Sequence, residues 1–309
     1  MQPTLLSAAA TPTAALIAAL PLLLAATLYA RRLRTLSSRG VTPEIWRPLA
    51  FAAGLTAFAV AILSPLEMAA DRRVFAHMLQ HLLILDLAPV LIVLGASGPI
   101  LAPLLRASSR VGGRLGGRVR WQRLVARLTH PGFTLPLWIL NLAAWHIPAV
   151  YQAATFDSEV LHALEHSMFF ATGTLIWLTL LGPLPRPAWF GKGAALIFVA
   201  VIRLSGAVLG NVLMWSGSVL YPRYGPAEAA HRVDPLADQG AAGVVMMAES
   251  TVVILAAMVW LFFRWAAEDT ERQRLLDLAR SEGVSLDPAR AARAAAAGQS
   301  ERLAKRIQK

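Results

Sequence analysis

The chain has no cysteine. Disulfides, thiolate metal sites and thiol-relay chemistry are therefore excluded. Any metal must be held by nitrogen, oxygen or thioether sulfur. Charge is also scarce: 15% of the residues are charged, against roughly a quarter in a soluble domain. Acidic residues are the scarcer sign, 18 against 29 basic. No Lys or Arg precedes Arg31, so the basic n-region of a signal peptide is missing. The positive cluster follows the first apolar run, which reads as a retained span with its N-terminus outside. The net charge of +11 does not point to nucleic acid. The basic residues sit between apolar runs and do not interleave with aromatics on one polar face.

What is abundant is apolar sequence, 56% of the 309 residues, with a mean hydropathy of +0.54. Runs long enough to cross a bilayer fall at about 13–30, 47–66, 74–96, 133–154, 160–182, 194–217 and 241–264. Lys and Arg then assign the loops. One side receives Arg31, Arg32, Arg34, Arg39 and Arg47, the arginine-rich loop from Arg106 to Arg127, Arg186 and Lys192, and the tail from Arg264 to Lys309. The other side holds Arg72, Arg73, Arg223 and Arg232. The expected fold is an all-α, polytopic membrane helix bundle of about seven transmembrane helices, N-terminus outside and C-terminus cytoplasmic. Residues 1–265 form the membrane domain. Residues 266–309 form a basic cytoplasmic tail, helical in two pieces, broken near Gly283 and reopened by Asp287 and Pro288. The loop between the third and fourth runs, with Ser108-Ser109, Gly112-Gly113 and Gly116-Gly117, reads as a flexible connection.

On this topology five of the seven histidines reach the outer ends of three spans. His77 and His81 open the third, His162 and His166 open the fifth, and His146 closes the fourth. Residues four apart share a helix face, so each pair presents two imidazoles in one direction. Imidazole left unpaired in lipid is costly. A lone membrane histidine is more often a hydrogen-bonded packing residue, but two such pairs and a fifth at equal depth have the spacing of a metal site. His130 and His231 lie in loops and are expected to be solvated. Met68, Met78, Met168, Met214, Met246 and Met247 map to the same end of the bundle. Each alone is ordinary filler; with imidazoles and without thiols, thioethers favour Cu(I). Zinc is the alternative, held by the histidines alone or with Glu165 or Asp238.

Other polar groups fall within the spans. Asp86 lies about 140° around a helix from His81 and is expected to pair with Arg203 in the sixth span. Glu249 either faces the histidines or bonds Asn211 or Trp215. Asn141 is expected to join helices. Trp145, Trp177, Trp189, Trp215 and Trp260 fit an aromatic belt near the span ends.

Several stretches resemble the signatures of one family. They are His77-Met78-Leu79-Gln80-His81-Leu82-Leu83 with Ala88-Pro89 and Leu94-Gly95; Trp145-His146-Ile147-Pro148-Ala149-Val150-Tyr151; His162-Ala163-Leu164-Glu165-His166 with Phe169 and Gly173; and Leu220-Tyr221-Pro222 with Asp234-Pro235-Leu236-Ala237-Asp238-Gln239 and Gly243. In order and spacing they resemble the CtaG family of multi-spanning cytochrome c oxidase assembly factors, from about the second span through the seventh. The resemblance implies a non-enzymatic protein of the bacterial plasma membrane that matures a haem–copper oxidase. Its implied task is to take copper from a donor protein on the outer face and deliver it to oxidase subunits. The family's histidines carry over to His77, His81, His146, His162 and His166. Asp86 stands where the resemblance implies an apolar residue. Three rival readings remain: a zinc-dependent intramembrane hydrolase, a haem b protein with two histidine ligands, and a metal-free scaffold for oxidase assembly.

Overall fold

The computed structural model describes residues 12–96, 100, 118–181, 187, 189–296 and 298–308, and among them all regular structure is helical. The glycine-serine-arginine loop expected between the third and fourth runs lies mostly outside the described residues. The longer helices are α1 (Pro12–Ser37), α2 (Trp46–Leu63), α3 (Pro65–Ala70), α4 (Val74–Leu82), α5 (Ala88–Ala96), α6 (Arg118–Leu128), α7 (Pro131–Trp145), α8 (Pro148–Asp157), α9 (Glu159–Leu181) and α10 (Lys192–Trp215). After a 3₁₀ turn at Pro222–Tyr224 come α11 (Gly225–Ala230), α12 (Pro235–Ser281), α13 (Pro288–Ala296) and α14 (Ser300–Ile307).

Among the described residues, five helices are long and apolar enough to cross a membrane: α2, Val74–Ala96, α9, α10 and α12. A bent pair, α7 with α8, makes up to six. A helix also covers the expected first span at 13–30, without being one of the five. Along α10, Leu204, Val208 and Val212 are more than half or about half exposed, while Ile202 and Leu213 are buried. A water-facing surface of this kind would be an association hazard; a lipid-facing one satisfies it.

The chain divides into two compact units, residues 1–190 with 201–251, and residues 191–200 with 252–309. In the first, Tyr29 stacks on Phe51 at 3.8 Å and donates to the Gly95 carbonyl, joining α1, α2 and α5. A second core gathers Val74, Met78, Tyr151, Leu213, Tyr221, Tyr224, Ala242 and Met246.

Two irregularities shape the site. The run expected as one span at 133–154 is broken, with a 70° bend between α7 and α8. Pro148 lacks an N–H and pushes the residue before it away from helical geometry, and Ile147 is extended at φ −61°, ψ 124°. His146 is left as the C-cap of α7. The third span is continuous but contains a π-turn at Leu83–Leu87, closed by the Ala88 N–H on the Leu83 carbonyl. Pro89 explains it: its ring cannot donate to the Leu85 carbonyl and would clash with it in a regular helix. That carbonyl turns toward Gly173 of α9, where a Cβ would stand 1.8 Å from Leu85 O. Only glycine allows this approach.

In the second unit Lys192 pairs with Glu268, which Arg264 also reaches at 3.1 Å. The tail forms three helical pieces instead of two. Gly283 and Gly298 both have positive φ, and each ends a helix in a Schellman arrangement: Val284 N–H to Ala279 O, and Gln299 N–H to Ala294 O. Asp287 caps α13 by accepting from the Ala289 N–H at 2.9 Å. Leu275, Ala279, Ala291, Leu303, Ala304 and Ile307 close around a small core of their own.

Candidate metal centre

His77 and His81 lie one turn apart on α4, and their Nε2 atoms are 2.8 Å from each other. His162 and His166 lie one turn apart on α9, with ring centroids 4.3 Å apart. The two pairs meet: His77 is 5.3 Å from His162 and His81 is 5.5 Å from His166, centroid to centroid. His146 lies 6.1 Å from His81. The five histidines named from the sequence are therefore neighbours. His77, His81 and His146 are buried, and His162 and His166 half-buried.

Their second contacts fix some of the rings. His146 Nδ1 lies 2.8 Å from the Leu142 carbonyl, which only accepts, so Nδ1 carries the proton and Nε2 the lone pair. That Nε2 is 3.4 Å from the Met78 sulfur. His77 Nδ1 is held at 3.0 Å by the Tyr224 hydroxyl, which leaves Nε2, the atom that faces His81, to act as a ligand. Such outer contacts orient metal-binding imidazoles. Of the methionines expected near the histidines, Met78 makes this contact, whereas Met246 packs in the apolar core and Met68, Met168 and Met214 are exposed.

Three tyrosines roof the cluster. Tyr151 and Tyr221 stack at 4.1 Å, Tyr151 and Tyr224 share a 3.0 Å hydroxyl contact, and Tyr221 donates to the His146 carbonyl. Sequence reasoning gave none of the three a role, although Tyr151 and Tyr221 stand inside the quoted signatures. The roof is anchored by Arg223, which grips the Asp157 carboxylate through two 2.7 Å contacts. Gln239 accepts from the Leu220 N–H and donates to the Leu213 carbonyl.

Several buried polar atoms here have no hydrogen-bond partner: His81 Nδ1, His162 Nε2, His166 Nε2 and both oxygens of Glu165. Each such atom costs roughly 1–3 kcal/mol. Glu165 is fully buried, and its nearest ionisable contact is His81 Nε2 at 3.6 Å, beyond hydrogen-bond reach. The unpartnered set is three imidazole nitrogens around a carboxylate, which fits a bound cation. Two triads bring one ligand atom from each residue within 4.8 Å of the others: His77, His162 and His166; and His77, His81 and Glu165.

The remaining polar residues sort themselves out of the centre. Asp238 accepts from the Phe75 N–H at 3.3 Å, capping α4. Glu249 faces neither the histidines nor Asn211 nor Trp215; it accepts from Arg203 at 2.8 Å. Arg203 also pairs with Asp86, as the sequence suggested, and Trp177 donates to Asp86 at 2.7 Å. Trp145 donates to Asn141, which donates to Thr172 and so ties α7 to α9. Trp145 and Trp177 are thus interior hydrogen-bonding groups and not part of a belt; Trp189, Trp215 and Trp260 are exposed. His130 caps α7 through the Gly132 N–H, and His231 is exposed. Outside the spans, Glu67 on α3 accepts from Gln80. Burial, with Asp71 nearby, pushes the Glu67 carboxyl up to about 7.

The family described as cytochrome c oxidase caa3 assembly factor (Caa3_CtaG) matches residues 27–268. The chain belongs to this family. The matched stretch carries all five clustered histidines, Glu165, the tyrosine roof and the Asp86–Arg203–Glu249 network of this assembly factor, and it stops before α13. No curated protein and no solved structure matches the chain.

Proposed function

We propose that this oxidase assembly factor handles copper, binding Cu(I) at His77, His81, His146, His162 and His166 and passing it to the haem–copper oxidase. The observation that carries the reading is the group of unpartnered buried nitrogens on two helices, beside a buried and unpartnered carboxylate. Neutral imidazoles with one thioether within reach suit a soft monovalent ion, and no thiol is needed. Half-buried His162 and His166 give the cargo a way in and out by ligand exchange. In this reading the protein is a seven-span, non-enzymatic component of the bacterial plasma membrane. Its N-terminus and histidine cluster face outward toward a copper donor protein, and residues 266–309 form the cytoplasmic tail.

The test is the copper content of the purified, detergent-solubilised chain after mild Cu(I) loading, compared with a His77→Ala, His81→Ala double variant, with an absorption spectrum of each. Bound copper that the variant loses, with no haem Soret band, is the expected result. A wild-type chain without copper refutes the reading. Zinc is a second reading because His77, His81 and Glu165 form a His₂Glu set of the kind found in zinc hydrolases. All three side chains are buried, which leaves little room for a substrate beside them.

A further inference from the structure

The two triads share one residue. His77 contributes to the half-buried set with His162 and His166, and to the fully buried set with His81 and Glu165. Its Nδ1 is occupied by the Tyr224 hydroxyl, so a single atom, Nε2, serves both. That Nε2 is also 2.8 Å from His81 Nε2, close to the roughly 3.3 Å separating two nitrogens bound to one ion at about 2.0 Å. One lone pair binds one ion. The two sets cannot be filled together through it.

Resting on the copper reading above, we infer that the cluster is a two-position relay for a single Cu(I), with His77 the pivot and Glu165 the ligand that defines the second position. The ion enters at His77, His162 and His166. It then exchanges two imidazole nitrogens for His81 nitrogen and a Glu165 carboxylate oxygen, keeping its bond to His77 and its oxidation state. Charge gives the direction. At the first position the cation and the Glu165 carboxylate stand apart as two uncompensated charges, whereas at the second they meet as a neutral pair; the net charge of the cluster is the same in both. Burial penalises uncompensated charge, and the second set is the more deeply buried. Glu165 has no other occupation: no donor reaches either oxygen, and no Lys or Arg pairs with it among the described residues.

The experiment is Cu(I) titration of the full-length protein in detergent against a chromophoric Cu(I) chelator, with X-ray absorption on the loaded samples. Wild type is expected to bind one Cu(I) per chain with an oxygen donor in its shell. Glu165→Gln is expected to bind one Cu(I) through nitrogen only, about tenfold or more weakly, and Glu165→Asp to restore the oxygen. A His162→Ala, His166→Ala double variant is expected to keep one Cu(I) with an oxygen donor, which tests the buried set should the Glu165 variants fail to fold. Two ions per wild-type chain, an unchanged shell and affinity in a folded Glu165→Gln, or loss of all copper from the double variant would each overturn the relay while leaving copper binding intact. No copper on wild type would remove both.

Discussion

Replacing Gly173 by alanine adds one carbon atom to α9 at the point where it crosses the π-turn. That carbon would meet Leu85 O at 1.8 Å, Leu85 C at 2.9 Å and Pro89 Cγ at 3.2 Å. Two of these are backbone atoms, and the third belongs to a ring, so none can rotate aside. Restoring even a 3.0 Å contact to the carbonyl requires a retreat of about 1.2 Å. Overpacking of this kind costs about 1–3 kcal/mol, and a backbone obstacle puts Gly173→Ala near 3 kcal/mol. The displacement also travels. His162, Glu165 and His166 ride on α9, while His77 and His81 ride on α4 just before the π-turn. Metal–ligand distances tolerate only about 0.2 Å, so Cu(I) affinity is expected to fall about a hundredfold. Gly206→Ala is the control, because its Cβ would meet only Ser250 Oγ, at 3.0 Å; its cost is expected to stay near 1 kcal/mol or below. Thermal unfolding followed by circular dichroism in detergent, with Cu(I) titration of both variants, reads the two effects. Wild-type melting and wild-type Cu(I) affinity in Gly173→Ala would refute the close-approach argument.

Arg203→Met strands the Asp86 and Glu249 carboxylates inside the spans and is expected to cost roughly 3–5 kcal/mol. Asp86→Asn leaves Arg203 paired with Glu249 and is expected to cost about 2 kcal/mol; melting temperatures in that order support the network, and the reverse order contradicts it. Glu67 gives a pH dependence. Its carboxyl is raised from 4.5 to about 7 on folding, so the folded chain binds more protons than the unfolded one across that interval. Its contribution is complete below 4.5 and is lost as pH rises through about 7, so Glu67→Gln should flatten the melting temperature between about pH 5 and 8. A variant with the wild-type slope would assign the pH dependence to other groups.

Much of the centre was legible because a helix repeats its face every four residues. His77 with His81 and His162 with His166 could be paired from spacing alone, and basic-loop counting turned them toward the same end. The Asp86–Arg203 pair followed from the expense of lone charges in a bilayer. What failed were inferences that need a backbone path. Pro148 was visible, yet the run at 133–154 is long and apolar enough to read as one span, and composition alone does not say that a 70° bend divides it. Glu249 was weighed against Asn211 and Trp215, neighbours by depth. Its actual partner, Arg203, had already been assigned to Asp86, and one guanidinium serves both. Trp145 and Trp177 sit where belt tryptophans sit, but their indole N–H groups found Asn141 and Asp86 inside the bundle. Tyr224 gave no signal, because it reaches His77 from 147 residues away.

The π-turn at Leu83–Leu87 also bears on how relatives of this chain should be compared. A regular helix turns about 100° per residue, and a π-turn holds one residue more than the helix around it. His77 and His81 stand before that extra residue; Ala88, Val93 and the other buried residues of α5 stand after it. Deleting one residue between His81 and Pro89 would let the π-turn close to a regular turn with the histidines still toward α9 and α5 still toward α2, whereas a deletion in the regular turns on either side would swing one of them about 100° away. The phase between the histidine cluster and α5 thus survives a one-residue change of length at the π-turn, and not in the regular turns around it. A homologue one residue shorter in this span should therefore take its gap at Leu83–Leu87, since a gap placed elsewhere would pair residues that face different sides of the bundle.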